Sequence, residues 1–371
     1  MLTRLSHILL SALLVTTAWS GSARADISIG LSVPLEGSLS LLGRQAEAGA
    51  RAAVEATNAN GGINGEAVRL TVADDGCSAE DAANAARQLA DADVVAVMGL
   101  LCFEAAFELR DNPAMSDVPL LSLAIRLPQF TLRGEPNFRF GAGPDAEADA
   151  ITRAILELWD GKAFALADDG TVYGRSLAQA VRTKLELAGR APQLTETYRP
   201  TQNVQTGLAL RLANAGIQAL FVAGDGEDVA VIAESLERRG VEMDILAGEA
   251  ALAPFLPGSE LTPPDGLFAV GAPRPEANPA TEIIREQFAA AGIRAEGLVL
   301  TSYAATQTLL QALSDSSSSD LADRIRSRRA STILGPVSFN SDNEREGTDF
   351  IIYRYSGDGF SPVGQTAQND G

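Results

Sequence analysis

Histidine is almost missing from this chain of 371 residues, and its one copy, His7, lies in the N-terminal stretch. If that stretch is removed, no imidazole remains, which excludes serine–histidine and cysteine–histidine nucleophiles and histidine metal sites. Two cysteines are too few for a zinc–thiolate cluster. Beyond the N-terminus no run of 18 apolar residues occurs, so no stable membrane insertion is expected. Basic residues are also scarce, 29 against 48 acidic ones, and a chain this negative cannot neutralise a phosphate backbone, which argues against nucleic acid as partner. Glycine-rich phosphate loops are absent in the required strand–glycines–helix context. Gly30 lacks companion glycines and Gly61-Gly62 follows a helical pattern, so no cofactor is expected.

What remains is ample for folding. The chain is 46% hydrophobic, too apolar for disorder, and long enough for about two domains. At the N-terminus Arg4 supplies a basic segment, Ile8 to Thr16 an apolar one, and Ala23-Arg24-Ala25 a small-x-small cleavage site. Residues 1–25 therefore read as a signal peptide, with the mature chain starting at Asp26. The alternative, an uncleaved anchor, suits the apolar run poorly because it is short for a span. No cysteine adjoins the site, so lipid attachment there is excluded. A soluble product outside the cytoplasm is expected. In such an oxidising compartment Cys77 and Cys102, 25 positions apart, read more naturally as a bridged pair than as two independently buried thiols.

Along the mature chain, apolar runs alternate with helical patterns. Ile27 to Val33 reads as a buried strand. Gly43 to Asn60 reads as a helix whose Ala46, Gly49, Ala53 and Ala56 share one face, stopped by Gly61-Gly62. Val68 to Ala73 is the next strand. Ser78 can cap a helix carrying Glu80 and Asp81 in its first turn, and Val94 to Met98 is a short apolar strand. A helix near Glu104 to Arg110 and a strand at Leu120 to Ser122 follow. The pattern then repeats: helices at 146–160, 174–188 and 227–239 alternate with strands at 163–167, 220–222, 243–247 and 267–270. Uniformly apolar strands belong in parallel sheets covered on both faces, so the class is α/β with two doubly wound sheets. Further helices are expected from Asn278-Pro279 to Ala291, from Ser302 to Leu313 and from Leu321 to Arg328. Closing strands are expected at Val337 to Phe339 and Phe350 to Tyr355, with a loose tail after Gly357.

The segment Ile29-Gly30-Leu31-Ser32-Val33-Pro34-Leu35-Glu36-Gly37, followed by Asn60-Gly61-Gly62-Ile63-Asn64-Gly65, resembles the opening of a bacterial family. These are the periplasmic solute-binding proteins of branched-chain amino acid ABC transporters, of the leucine/isoleucine/valine-binding type. Asp74-Asp75-Gly76-Cys77, Gly99-Leu100-Leu101-Cys102, Tyr173-Gly174 and Ile333-Leu334-Gly335-Pro336-Val337-Ser338-Phe339 continue the likeness in order and spacing. The resemblance implies the type I periplasmic-binding-protein fold, with two Rossmann-like lobes joined by a three-crossing hinge. Lobe 1 is then residues 26–143 and 272–352; lobe 2 is residues 144–271 and 353–371, tail included. It also implies a disulfide matching Cys77–Cys102, periplasmic location, a small-molecule ligand in the interlobe cleft, and docking of the closed form on transporter membrane subunits.

The family's ligand contacts carry over unevenly. Glu249 lies where leucine-type members receive the ligand's ammonium, and Tyr173 matches a ligand-contacting tyrosine of lobe 2. In lobe 1, Phe103 stands where a serine binds the carboxylate, Ala124 where a backbone group contributes, and Arg126 where a threonine is usual. Leu42 replaces an aromatic residue bordering the side-chain pocket, and Asp225 replaces a second tyrosine of lobe 2. As a set, Arg126 can hold a carboxylate bidentately while Phe103 offers an apolar wall and Asp225 and Glu249 face a cationic or donor group. The expected ligand is an amino acid or related organic acid. Alternatively Arg126 pairs with Asp225 or Glu249 across the cleft and touches no ligand. A sensor built on the same lobes would give the same pattern. An enzyme is not expected: the only suggestive acid pairs, Asp74-Asp75 and Asp168-Asp169, sit at turns, where solvated carboxylates are ordinary.

Overall fold

A computed structural model describes residues 26–131, 135–253, 259, 261–275, 279–347, 350–357 and 359–363. The expected leader, residues 1–25, and the expected helix cap Asn278 lie outside the described residues. The chain opens with β1 (Ile27–Val33), α1 (Ser40–Ala59), β2 (Val68–Asp74), α2 (Ala79–Asp91), β3 (Val97–Gly99), α3 (Phe103–Asp111), β4 (Leu120–Ser122) and β5 (Asn137–Arg139). These strands form a five-stranded sheet of order β2-β1-β3-β4-β5 in which every pairing is parallel.

A second unit follows: α4 (Ala146–Leu158), β6 (Phe164–Asp168), α5 (Val172–Leu187), β7 (Leu194–Thr197), α6 (Thr206–Asn214), β8 (Ala219–Ala223), α7 (Gly226–Glu237), β9 (Asp244–Ala247) and β10 (Phe268–Gly271). The chain then returns to the first unit as α8 (Glu282–Ala290), α9 (Leu298–Ser314), α10 (Leu321–Ser327) and the hairpin β11 (Ala330–Thr332)–β12 (Gly335–Val337). It crosses once more into β13 (Ile351–Tyr355) and β14 (Phe360–Pro362), which add antiparallel to β10. The second sheet has seven strands, in the order β14-β13-β10-β9-β8-β6-β7. Two α/β lobes of the expected type are thus joined by three crossings. Ile351 and Ile352, which the resemblance assigned to lobe 1, already pair with β10, and part of the expected loose tail is the strand β14.

Both faces of each sheet are covered, which is why the central strands carry apolar residues throughout. In lobe 1, α1, α9 and α10 pack on one face around Leu31, Met98 and Phe138, while α2 and α3 pack on the other around Leu89 and Val97. In lobe 2, α4 and α5 cover Leu166 and Phe221, and α6 and α7 cover Leu220 and Val222. Each such fully buried side chain stabilises the fold by about 1.5–3 kcal/mol before entropy is counted. The small-residue face of α1 has a specific cause: α9 lies directly against it. Ser302 Oγ donates to the Ala46 carbonyl at 2.7 Å, and a Cβ at Gly49 would come within 2.1 Å of the Val299 carbonyl oxygen. Among the described residues no helix is long and apolar enough to cross a membrane.

Two of the crossings are stitched together beside β5. Arg139, with no exposed surface, donates to Glu344 at 2.7 Å and to the Leu127 carbonyl at 2.8 Å. The backbone of Arg139 also bonds to Asn343 and Arg345. Lobe 1 therefore presents one edge of buried ionic contacts where the chain leaves for lobe 2.

Candidate functional site

The residues that meet between the lobes follow the C-terminal ends of the parallel strands β4, β6 and β9, the usual place for ligands in open α/β sheets. From lobe 1, the turn after β4 is pinned by Ser122, whose hydroxyl donates to the Leu100 carbonyl and accepts from the Ile125 N–H at 2.9 Å. Ile125 is buried, and the next residue, Arg126, reaches across the gap. From lobe 2, Glu249 begins a short 3-10 turn after β9, Glu147 lies in the first turn of α4, and Tyr173 in the first turn of α5. Thr171 holds the start of α5 by accepting from the Gly174 N–H at 3.0 Å.

These side chains form one network. Arg126 Nη2 donates to Glu249 Oε2 at 2.6 Å and Nη1 to Glu147 Oε2 at 3.4 Å. The Tyr173 hydroxyl donates to Glu147 at 2.7 Å, and the Glu249 N–H donates to Glu147 Oε1 at 2.8 Å. Glu249 Oε1 accepts from the Ala272 N–H at 3.2 Å, so a residue at a lobe crossing orients that carboxylate. The Arg126 guanidinium also lies 5.2 Å from the Phe350 ring centre, at another crossing, in cation–π range.

Burial lifts the Glu147 carboxyl above its usual range, and the charge of Glu249 adds to the rise, while the Glu249 N–H, Tyr173 and Arg126 oppose it. Burial alone would lower Arg126, but the two glutamates outweigh it and hold the guanidinium above its ordinary value. Burial and the adjacent Glu147 likewise push the Tyr173 phenol well up, so it stays a neutral donor.

Beside the network is a cavity of about 680 Å³ walled from both lobes. Lobe 1 contributes Leu39, Leu101, Phe103, Ala124 and the Cys77–Cys102 bridge; lobe 2 contributes Glu147, Tyr173, Leu177 and Ala180. Arg126 is part of the same wall, and most of the rest is apolar. Of the residues singled out in the sequence, Phe103, Ala124, Arg126 and Tyr173 share this wall, and Glu249 is bonded to it through Arg126 and Glu147.

Two others do not join them. Leu42 is exposed on α1 outside the cavity wall, which takes Leu39, just before that helix, instead. Asp225 is turned to cap α7, accepting from the Asp228 N–H at 2.8 Å, and makes no contact with Arg126. The pairing of Arg126 with a lobe 2 acid is present, but with Glu249 and Glu147. Glu147 itself was missed from the sequence, where an acid in a first helical turn reads as an ordinary dipole partner. The available signal was its place on one stripe with the buried Ile151 and Ala154.

The turn acids also differ from expectation. Asp75 is fully buried, accepting from Ser32 Oγ at 2.9 Å and the Cys77 N–H at 3.1 Å. Asp168 is buried and accepts from Gly170 N–H and Thr197 Oγ1. Both are structural pins, not solvated carboxylates. The disulfide joins Cys77 and Cys102 with Cα atoms 5.3 Å apart, the ordinary separation for such a link.

Comparison with known proteins agrees with this architecture. A family model described as periplasmic binding protein matches residues 26–359. A Leu/Ile/Val-binding protein homolog of Brucella melitensis is 26% identical, with the match covering 93% of this chain and 94% of that protein. An amino acid binding protein of Pseudomonas aeruginosa is 25% identical over 92% of this chain and 93% of its own. Among solved structures, a putative branched-chain amino acid ABC transporter protein from Rhodospirillum rubrum superposes with a TM-score of 0.72 at 20% identity. The superposition covers 91% of this chain and 100% of that one. A leucine-binding protein from Thermotoga maritima gives 0.67 at 20% identity, covering 91% and 97%. With nearly all of residues 26–363 inside the matched region and the two-lobe fold in place, the chain belongs to the periplasmic binding protein family.

Proposed function

We propose that this protein is the solute-receiving component of an ABC importer in the periplasm. It captures a small carboxylate-bearing ligand between its lobes and presents it to the membrane subunits. The lobes that move against each other are residues 26–143 with 272–350, and 144–271 with the chain from 351 onward. The observation that carries this reading is the meeting of Arg126 from one lobe with Glu249 and Glu147 from the other beside a two-walled cavity. A ligand that touches both lobes favours the closed state by its differential affinity. A planar guanidinium matches a carboxylate bidentately, and Phe103 supplies apolar wall where a hydroxyl would otherwise bind. The names of the relatives in Brucella and Pseudomonas point to amino acids as the ligand class.

The test is thermal unfolding and calorimetry of ligand-stripped protein against amino acids, aromatic acids, keto acids and amides. A true ligand raises the melting temperature through mass action. Arg126→Ala abolishes the response to it. A full response in that variant places Arg126 outside the ligand site and removes the basis of the reading.

A further inference from the structure

The disulfide is not sealed inside lobe 1. Cys77 and Cys102 both line the cavity between the lobes, in the same wall as Leu101 and Phe103. Their surroundings are unlike. Cys77 is part-exposed after β2 and holds a φ of +52°, a left-handed backbone that a side chain makes costly and that an opened bridge would let it leave. Cys102 is 7% exposed and is the N-cap residue of α3, where no side chain accepts from the first N–H groups of the helix. A helix start of this kind stabilises a thiolate and lowers the affinity of its sulfur for a proton. Two acids act against that charge. An oxygen of the buried Asp75 lies within 4.8 Å of both sulfurs, and Glu104 belongs to the first turn of α3 and to the cavity wall.

We propose that the Cys77–Cys102 bridge is a thiol-exchange site of the cleft, at which a small thiol entering the cavity attacks Cys77 and expels Cys102 as a thiolate at the start of α3. Cys77 is the more exposed cysteine, so an incoming molecule meets it first, and Cys102 is the better leaving group because a sulfur of lower pKa departs faster. The thiolate of the incoming molecule forms a new S–S bond to Cys77 Sγ while the Cys77–Cys102 bond breaks, and the electron pair of that bond leaves on Cys102. A second thiol molecule then attacks the sulfur of the first and frees Cys77. The two thiols end as their own disulfide, and the two cysteines take up the two protons those thiols gave up. In reverse, the Cys102 thiolate attacks Cys77 and releases the thiol held there. The charges of Asp75 and Glu104 oppose the thiolate and so favour the closed bridge. A thiol held on Cys77 stands in the wall that also carries Phe103, so the redox state of the surroundings alters the shape of the cavity. Nothing in this depends on which solute the cleft captures.

The experiment adds reduced glutathione to the folded, bridged protein at several urea concentrations below the unfolding transition. The reaction is quenched with iodoacetamide and the peptides are mapped by mass spectrometry. The singly reacted species carries glutathione on Cys77 and the carbamidomethyl group on Cys102, and it forms at a rate that this urea leaves unchanged. Asp75→Asn, which removes one opposing charge, raises the rate at least threefold. Should Asp75→Asn not fold, Glu104→Gln, an exposed change in the first turn of α3, raises the rate in the same sense. A rate that climbs with urea in step with global unfolding makes the bridge a structural staple and overturns the proposal. Glutathione found on Cys102, with Cys77 alkylated, overturns it as well. A rate that neither variant raises overturns the part given to the two acids and leaves the exchange site standing.

Discussion

The two walls of the cleft are built on opposite plans. Lobe 1 offers a hydrophobic surface backed by a disulfide, with Arg126 as its cation at the ionic network. Lobe 2 offers the polar face, with Glu147, Glu249 and Tyr173 bonded to one another before lobe 1 takes part. The buried acids beneath the walls differ in the same sense. In lobe 1, Asp75 has a partner for each oxygen. In lobe 2, Asp228 accepts from Thr201 N–H through Oδ1, but its Oδ2 and the neighbouring Tyr198 hydroxyl are buried without a hydrogen bond of ordinary geometry. Asp168 of lobe 2 is fully paired like Asp75, so the unbalanced acid of lobe 2 is Asp228.

The largest expected effect tests the rigid wall. Replacing Cys77 and Cys102 together by serine releases a loop spanning 25 positions, worth about 3 to 4 kcal/mol in the loop-entropy description. Urea unfolding of the double variant should show that loss, and lobe 1 should unfold first. A loss below about 1 kcal/mol shows that the bridge shapes the wall without stabilising it.

Next in size is the ionic link between the lobes. Arg126→Ala leaves the lobe 2 acids without a cation, so ligand-free protein should shift toward an open arrangement with a larger radius of gyration in small-angle scattering. Affinity for a carboxylate ligand should fall at least a hundredfold, about 3 kcal/mol. An unchanged radius means that contacts other than this pair hold the lobes together.

Asp228 carries the third prediction, which concerns pH. Burial, followed in the same direction by the charges of Asp225 and Asp169, raises its pKa to about 6, above the ordinary 3.8. Between those values the folded chain holds a proton that the unfolded chain has lost. Stability from this group is therefore greatest at low pH, falls as pH rises from about 4 to about 6, and is flat above. The loss is on the order of 3 kcal/mol. Asp228→Asn keeps an acceptor for Thr201 and should remove that slope, leaving the variant more stable than wild type at pH 7. Unfolding midpoints at pH 4.5 and pH 7 decide it; parallel pH dependence in both proteins assigns the slope elsewhere.

How much of this was legible beforehand depends on whether a residue's chemistry matches its surroundings. The parallel strands β1, β6 and β8 announce themselves because both their faces are buried, and α1 does so because its small residues let α9 approach. β5 was not read as a strand: its sequence Asn-Phe-Arg looks exposed, yet Asn137 and Arg139 are buried, with Arg139 neutralised by Glu344. β7, at the sheet edge, alternates part-buried and exposed residues and carries too little apolar signal, and α6 that follows it was missed as well. At the site, family likeness singled out Arg126, Tyr173 and Glu249, whose side chains the fold brings into one network, and also Leu42 and Asp225, which lie apart from it. Glu147 needed the tertiary arrangement, because only the approach of Tyr173, Glu249 and Arg126 turns a helix-start acid into a buried hub.

Asp225 gives the smallest effect and the sharpest check on the division between the walls. As a ligand contact it would belong to the charged face of lobe 2; as a helix cap it belongs to the fold. Its carboxylate accepts from the N–H three residues on, the normal arrangement at a helix start, and the loss of such a cap costs about 1 kcal/mol. Asp225→Ala should therefore lower the unfolding midpoint slightly while ligand affinity stays within twofold of wild type. Asp225→Asn, which can still cap, should change neither. If Asp225→Asn weakened ligand binding with stability intact, the carboxylate would be reaching into the cleft in the bound state, and the charged wall would extend from Glu249 to α7.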